Sequence, residues 1–336
     1  MQELKTDKKR VVTLGEALVD LVADEPRGAA LQDTRTFQRA AGGAPANVAV
    51  GVARLGTPAG FIGAVGSDPF GRFLKRTLQA EGVDTSQVTE TAAGQTALAF
   101  VSHAAEGDRG FLFYRQNAAD LQLRPADVNE QYVANAAVLH VGSLSLTAEP
   151  ARAATLTALA FARGHGVPRS VDPNLRLDQW PDAQAAREAI RELLSQATLV
   201  KLSAEELEFL TGDTSPAAAR ALLHDELQLL CVTRGAAGVE YHTQARSGYV
   251  HGWRVEPEDT TGAGDAFVAA LLAALAESPG QTSLAASVAD AAVLERALHR
   301  ATAFAALTVT RVGAIPAMPT AAELAAFMAQ GERTGP

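Results

Sequence analysis

Two kinds of segment alternate along most of this chain, and their order limits the folds open to it. Short apolar runs rich in β-branched residues, typical of buried strands, are separated by stretches whose apolar residues recur every three or four positions, as in amphipathic helices. This order predicts an α/β fold with a central, mostly parallel sheet covered by helices on both faces. The strand-like runs are VVTLG (11–15), FIGAVG (61–66), AVLHVG (137–142), RSVDP (169–173), ATLVKLS (197–203) and LQLLCVT (227–233). The helical stretches are ANVAVGVARLG, GRFLKRTLQAEG, ARAATLTALAFARGHG and AQAAREAIRELLSQA.

Two regions, residues 22–40 and 93–116, interrupt this alternation. In the second, apolar and polar side chains alternate around Glu106-Gly107-Asp108, which is typical of a β-hairpin. Ligands of open parallel sheets bind beyond the carboxyl ends of the strands. A small β-structure projecting from the main sheet would therefore be placed to act as a lid.

Composition limits the partners. The 336 residues carry a formal net charge of −9, which argues against nucleic acid, because binding to phosphate backbones needs a basic face. The charged N-terminus lacks the apolar stretch of a secretory signal, and no apolar run is long enough to span a bilayer. The single cysteine, Cys231, excludes an internal disulfide and a thiolate metal site, and its apolar surroundings predict a buried side chain. We expect a cytoplasmic protein with a small, diffusible substrate.

The stretch DTTGAGDAFVAALLAAL, residues 259–275, places a glycine turn directly before an apolar helix. It is not a Walker loop, since the chain contains no Gly-Lys pair, and Phe267 occupies the third glycine position of the dinucleotide fingerprint. The helix start can nevertheless bind an anion through the amides of Ala263, Gly264 and Asp265. Asp265 is then either a helix cap, a role also open to Thr261, or a base that accepts a proton from an attacking hydroxyl.

Four other loops each allow a structural and a functional interpretation. The double glycine ending at Gly43 allows close backbone approach, and Asn47 either caps the following helix or binds a polyol. Asp20 is predicted to end a buried strand. There it is either an exposed turn residue or a carboxylate that binds sugar hydroxyls. Glu206 follows Ser203 in a capping-box pattern and is alternatively a water-mediated ligand of Mg²⁺. The turn TRGAAG (233–238) is an ordinary turn or a nucleotide surface.

The identity and order of these segments resemble the ribokinase-like (PfkB) family of sugar kinases over residues 11 to 325. GGAPANVAVGVARLG resembles the first family signature and DTTGAGDAFVAALLAAL the second. Within the family the chain looks most like fructokinases, through DRGFLFYRQNAAD, RSVDPNLRLDQWPD and VKLSAEELEFLTG. The resemblance implies a single kinase domain with a ribokinase-like three-layer α/β/α fold and a β-sheet lid. It also implies a homodimer that uses Mg²⁺ and ATP and is often stimulated by K⁺.

The resemblance also implies a role for particular residues. Asp265 becomes the catalytic base and Glu206 part of the magnesium network. The predicted anion hole is Gly262, Ala263 and Gly264; the sugar contacts are Asp20, Gly43, Asn47, Arg115 and Arg176; the nucleotide contacts are Thr233, Gly235, Gly238 and Thr302; and the monovalent cation site is Asp259 and Thr261 with backbone oxygens near Thr308, Arg311 and Gly313.

The expected reaction is phosphoryl transfer from ATP to D-fructose, giving ADP and D-fructose 6-phosphate. One alternative is another sugar kinase of the family, such as a 2-keto-3-deoxygluconate kinase, because Arg115 and Arg176 could instead pair with a substrate carboxylate or form ordinary ion pairs. The other is a non-catalytic sugar- or nucleotide-binding protein. A pure binding protein would gain nothing from a carboxylate directed at a phosphate, which argues against that alternative.

Overall fold

The computed structural model describes residues 10–24, 30–103, 109–276 and 283–331. Within these ranges a nine-stranded sheet has the order β13-β12-β11-β10-β9-β8-β1-β4-β5. Its strands are β1 (Val11–Leu14), β4 (Ala59–Gly66), β5 (Asp84–Thr91), β8 (Val138–Val141), β9 (Arg169–Val171), β10 (Leu199–Ser203), β11 (Leu229–Thr233), β12 (Gly238–His242) and β13 (Ser247–His251). All six runs predicted as strands are confirmed.

Seven neighbouring strands of this sheet, from β5 to β11, run parallel, and only β12 and β13 at one edge are antiparallel. Strand β4 is buried along all eight residues, because helices cover both faces of the sheet. Consequently the carboxyl ends of the parallel strands lie along one edge, where open α/β sheets bind ligands.

The helices divide between the two faces. One face packs against α1 (Ala44–Arg54), α2 (Pro69–Ala80), α8 (Ala263–Ala276), α9 (Leu284–Ala289), α10 (Ala291–Thr308) and α11 (Ala321–Gln330). The other packs against α3 (Glu130–Ala134), α4 (Ala151–Gly164), α5 (Ala183–Leu194), α6 (Ala204–Thr211) and α7 (Pro216–Arg220). The four helical stretches predicted from the sequence correspond to α1, α2, α4 and α5, so the three-layer α/β/α prediction is confirmed.

A second, four-stranded sheet has the order β3-β2-β6-β7. It consists of β2 (Leu18–Ala23), β3 (Phe37–Gly42), β6 (Leu98–His103) and β7 (Arg109–Tyr114), with β2 and β6 parallel and the outer pairs antiparallel. The regions 22–40 and 93–116 overlap these strands, but β2 begins earlier, at Leu18. The turn predicted at 106–108 lies outside the described residues.

Among the described residues, none of the helices is both long and apolar enough to cross a membrane. Cys231 is buried in β11, as predicted.

Candidate active site

The glycine turn before α8 has the geometry of an anion-binding helix start. Gly262 has a φ of +75°, and an added Cβ there would lie 2.8 Å from the Cβ of Ala314, so glycine is required. The helix begins at Ala263, whose N–H donates to Thr260 O at 3.3 Å. In the described part of the chain, the N–H groups of Gly264 and Asp265 have no acceptor. These two amides are therefore available to a ligand.

Asp265 does not act as a helix cap. Its Oδ2 accepts a hydrogen bond from Asn47 Nδ2 at 2.8 Å, and its Oδ1 accepts one from Asn174 Nδ2 at 3.1 Å. Only 6% of the residue is exposed, and this burial raises the pKa of Asp265 to about 6, against the opposing effect of the Asn47 hydrogen bond. The carboxylate is thus fixed in position and has a pKa suitable for accepting a proton near neutral pH.

Asn47 does not open its helix, contrary to the prediction. Helix α1 begins at Ala44 with Gly43 as its N-cap residue and a proline in its first turn, so Asn47 is already inside the helix. The capping interpretation is therefore wrong, and the side chain reaches across to Asp265 instead. Gly43 has a φ of +102°, and an added Cβ would lie 2.5 Å from the backbone oxygen of Glu16.

The placement of Asp20 also differs from the prediction. It lies in the middle of β2 in the smaller sheet, because that strand continues to Ala23, and not at the end of a strand. The side chain is adjacent to Gly42, where an added Cβ would lie 2.2 Å from Asp20 Oδ2. Asp20 is thus next to the double glycine that precedes α1, and a contact between Asp20 and a sugar stays a prediction.

The two arginines proposed as sugar contacts have different surroundings. Arg115 is buried, with Nε 2.7 Å from Asp120 Oδ2, Nη1 3.0 Å from Thr147 Oγ1 and Nη2 2.9 Å from Leu144 O. Each guanidinium nitrogen of Arg115 thus has a hydrogen-bond partner within the protein, and the charge is paired without a ligand. Arg176 donates to Leu175 O at 3.0 Å and is close enough to Asp265 to lower the pKa of that carboxyl.

Glu206 forms the predicted capping box at the start of α6. Its Oε2 accepts from Ser203 N at 2.8 Å, and Ser203 Oγ accepts from Glu206 N at 3.1 Å. The other oxygen, Oε1, accepts from Leu175 N at 2.8 Å, so Glu206 also holds the loop that follows β9. Burial raises the pKa of Glu206, and the nearby Lys201 ammonium opposes that rise.

Three residues of the site were missed from the sequence: the half-buried Asn174 and the buried pair of Lys201 and Asp172. Asn174 holds Asp265, and it adopts a φ of +47°, a conformation that asparagine tolerates better than most residues. Lys201 Nζ lies 3.0 Å from Asp172 Oδ2, and both side chains are almost fully buried. The sequence did contain a signal for these three residues. The segments DPN and KLS each lie at the end of a predicted strand, and polar residues at the strand ends of a parallel sheet converge.

A cavity of about 330 Å³ adjoins the start of α8. All four predicted nucleotide contacts line it: Thr233, Gly235, Gly238 and Thr302. Ala263 and Gly264 from the start of α8 also line it, and Trp253, Phe267 and Val309 supply apolar surface. The cavity therefore combines an apolar wall, suited to a flat ring, with Gly264, whose amide is free to bind a phosphate.

The loop that precedes the glycine turn is fixed by Asp259. Its Oδ1 accepts from Thr261 N at 2.8 Å and its Oδ2 from Gly313 N at 2.5 Å. Thr261 Oγ1 is buried, and no described residue offers it a hydrogen-bond partner. Thr308 and Arg311 belong to the same segment as Gly313, and Thr308 O accepts from Arg311 N at 3.2 Å. The structure brings these segments together, and a shared cation contact stays a prediction.

The comparisons with known proteins agree with this geometry. Fructokinase-2 of Solanum habrochaites is 43% identical over 323 residues, covering 96% of this chain and 96% of that protein. The crystal structure of fructokinase with bound ATP from Xylella fastidiosa has a TM-score of 0.87 and 37% identity, covering 96% of this chain and 99% of that one. A double mutant of fructokinase from Vibrio cholerae O395, in a form with fructose, ADP and potassium ion bound, has a TM-score of 0.83 and 35% identity, covering 95% and 98%.

The family model for pfkB family carbohydrate kinase matches residues 8–321, a range that contains both sheets and every site residue described above. The helix start with free amides, the buried carboxylate beside it and the adjoining apolar cavity all lie inside this range. From the fold, the site and the length of this match, we conclude that the chain belongs to the pfkB family of carbohydrate kinases.

Proposed function

We propose that the protein transfers the γ-phosphoryl group of ATP to D-fructose, giving ADP and D-fructose 6-phosphate. One observation carries the proposal: the carboxylate of Asp265, with a pKa near 6, lies at a helix start with free amides and next to the nucleotide-sized cavity. The relatives named fructokinase, at 43% and 37% identity over nearly the whole chain, support fructose as the acceptor.

The reaction needs a base and charge neutralisation more than covalent help. Asp265 accepts the proton of the fructose 6-hydroxyl as its oxygen attacks the γ-phosphorus. The new O–P bond forms while the bond from that phosphorus to the bridging oxygen breaks, and its electron pair leaves with ADP. The amides of Gly264 and Asp265 stabilise the phosphoryl oxygens. The amide of Ala263 can join them once its hydrogen bond to Thr260 O is broken. Gly262 allows the turn that exposes them.

On the sugar side, Asn47 would hold a fructose hydroxyl while it donates to Asp265. Asp20 and the backbone of Gly43 would bind further hydroxyls, because both lie at the loop that precedes α1. Arg176, which is near Asp265, is a better candidate for a direct contact than Arg115, whose donors already have partners within the protein. The small sheet would act as the lid over the sugar.

On the nucleotide side, Thr302 and the turn from Thr233 to Gly238 would line the base and ribose of ATP. A magnesium ion that accompanies ATP would neutralise charge on the phosphates. Glu206 fits a role through water, because each of its oxygens accepts one backbone N–H and keeps capacity for another donor. Within the described residues, no group of three or more acidic, histidine or cysteine side chains could hold a metal directly.

A monovalent cation such as K⁺ would bind at the loop around Asp259. The buried Thr261 Oγ1 fits this role, because an oxygen without a hydrogen-bond partner can coordinate a cation. The carbonyls near Thr308, Arg311 and Gly313 would complete the site. Replacing K⁺ by tetramethylammonium should lower kcat in the wild type, and Asp259→Asn should remove that difference. Equal rates of the wild type in the two salts would contradict the assignment.

The function is tested by ADP release on addition of fructose. Wild-type protein with Mg-ATP should release ADP at a rate that saturates with fructose, and Asp265→Asn should lower kcat by about a hundredfold or more. Calorimetric titration should show that the variant still binds fructose and ADP, because asparagine preserves the shape of the side chain. Saturable fructose binding without turnover in the wild type would instead favour a non-catalytic binding protein.

A second acceptor is favoured by one observation. Arg176 lies close enough to Asp265 to act on its charge, so it could pair with the carboxylate of 2-keto-3-deoxygluconate. Comparing kcat/KM for fructose and for this keto acid separates the two kinases. A higher kcat/KM for the keto acid would identify 2-keto-3-deoxygluconate as the preferred acceptor.

A homodimer and a cytoplasmic location are further proposals, supported by the resemblance to the family. Light scattering during gel filtration should give twice the mass of one chain, and a monomer mass would contradict the homodimer. Cell fractionation should place the protein in the cytoplasmic fraction.

A further inference from the structure

Lys201 is a buried cation that the reaction described so far does not use. It lies in β10, and 7% of its side chain is exposed. Its one ion-pair partner among the described residues is Asp172, at 3.0 Å. An ammonium group has three N–H donors, and leaving donors unpaired in a buried place is costly. The pair with Asp172 alone therefore does not account for this group.

The ammonium lies against the start of α8. A Cβ added to Gly264 would be 2.9 Å from Lys201 Nζ and 3.9 Å from Asp172 Oδ2. Gly264 also lines the nucleotide cavity, and Asp265 is the next residue. Lys201 Nζ is therefore next to a residue that lines the cavity, and its charge acts on the carboxylate that would accept the proton.

The buried acidic groups around Lys201 require a compensating positive charge. Three buried acidic groups, Asp172, Glu206 and Asp265, act on Lys201. Burial alone would lower the pKa of Lys201, but the acidic neighbours outweigh it and the pKa is raised, so the ammonium stays charged. A phosphoryl group entering next to three carboxylates would be repelled unless a positive charge lay within contact distance.

We propose that Lys201 is a catalytic residue whose ammonium donates to an oxygen of the phosphoryl group in transit, while Asp172 holds the ammonium in place. Asp172 is in this scheme a positioning residue, since it acts through Lys201. The inference rests on the proposed kinase activity and adds one contact to it. The stretch KLS thus supplies a phosphate-binding lysine without a Walker loop.

The test compares Lys201→Met with wild type and with the control Lys75→Met. Lys75 is the chain's other lysine beyond residue 10 and forms a half-exposed ion pair with Glu90. In Lys201→Met, kcat should fall at least a hundredfold with KM for fructose within about threefold of wild type. Lys75→Met should match wild type. A kcat within tenfold of wild type in Lys201→Met would overturn the proposal.

Nucleotide binding distinguishes a phosphate contact from a structural role. Calorimetric titration should show that Lys201→Met binds ADP with a Kd within about threefold of wild type. The same variant should bind the γ-phosphate analogue AMP-PNP at least tenfold more weakly, because only that ligand carries the group that Lys201 contacts. Equal weakening for both nucleotides would indicate a structural role and would contradict the proposal.

A second variant covers the case in which Lys201→Met does not fold. Lys201→Gln keeps a donor for Asp172 but carries no charge, and the same losses are expected of it. If wild-type protein releases no ADP with fructose, the proposed function fails. If wild type turns over and both uncharged variants do so equally well, only the inference about Lys201 fails.

Discussion

Asn47 and Asn174 each donate a hydrogen bond to Asp265, and Lys201 and Arg176 add positive charge nearby. These groups stabilise the ionised carboxylate, yet desolvation is the larger effect, and the pKa rises to about 6. A base must be deprotonated to work, so the sign of the pH dependence follows: activity is full above the pKa and is lost below it.

We expect kcat/KM for fructose to be nearly constant from pH 7 to 8 and to fall about tenfold per pH unit below about pH 6, because protonated Asp265 cannot accept the sugar proton. The measurement is kcat/KM for fructose at saturating ATP between pH 4.5 and 8.5, since this quantity reports the pKa of the enzyme without bound sugar. The residual activity of Asp265→Asn should lack this acid limb and serves as the control. A wild-type kcat/KM that stays constant down to pH 5 would contradict the role of Asp265.

Asn47→Ala should move the acid limb to higher pH. The Asn47 hydrogen bond lowers the pKa of Asp265, and a bond to a charged group contributes about 1.5 kcal/mol, so its loss corresponds to roughly one pH unit. Asn174→Ala, which removes the longer 3.1 Å bond, should move the limb less. The same pH series measures both, and an unchanged limb in Asn47→Ala would show that this hydrogen bond does not set the pKa.

At the scale of elements, the site depends on how α1 begins. Gly43 and Gly56 lie at opposite ends of this helix, and both have positive φ, +102° and +85°. An added Cβ at Gly56 meets nothing within 4 Å, whereas one at Gly43 meets the backbone oxygen of Glu16 at 2.5 Å. The two glycines therefore separate the effect of backbone strain from that of a steric clash.

Gly56→Ala should lower the free energy of unfolding by about 1 kcal/mol and leave kcat/KM unchanged, since only strain is added. Gly43→Ala should cost more stability and lower kcat/KM for fructose at least tenfold, because relief of the clash displaces α1 and with it Asn47. Urea unfolding and steady-state kinetics measure the two effects. If Gly43→Ala and Gly56→Ala have the same unfolding free energy and the same kcat/KM, the start of α1 tolerates displacement.

The elements themselves follow from periodicity, but the contacts between them do not. The run LQLLCVT (227–233) contains the strand β11, because a strand buried on both faces has to be continuously apolar. The end of β2 could not be read in the same way, because Asp20 interrupts its apolar residues without ending the strand. The contact between Asn47 and Asp265, 218 positions apart, is a product of tertiary packing and has no local signal.

At the scale of the whole molecule, the two sheets and α1 meet around Glu16, in the link between β1 and β2. Its Oε1 accepts from Ala44 N at 3.0 Å, and its Oε2 is buried with no hydrogen-bond partner among the described residues. Burial raises the pKa of Glu16 to about 7, although the nearby Arg115 opposes the rise. The molecule therefore keeps a protonatable carboxyl where its two sheets join.

This carboxyl makes stability depend on pH in a direction opposite to that of a salt-bridged acid. Between the unfolded pKa near 4.5 and the native value near 7, the native state binds a proton that the unfolded state has released. The free energy of unfolding must then fall as pH rises through this window, by on the order of 3 kcal/mol at most. Below pH 4.5 both states are protonated and the contribution is constant.

Glu16→Gln should remove this dependence, because the amide does not titrate. We expect the difference in unfolding free energy between wild type and Glu16→Gln to decline by about 2 to 3 kcal/mol from pH 4.5 to 7.5, with the wild type losing stability. Glu206 and Asp265 also have raised pKa values, but they are present in both proteins and cancel in the difference. The measurement is urea unfolding at four pH values, with exposed Glu188→Gln as the control. Parallel curves for wild type and Glu16→Gln would show that Glu16 is already ionised in the native protein at pH 4.5, and that Arg115 outweighs its burial.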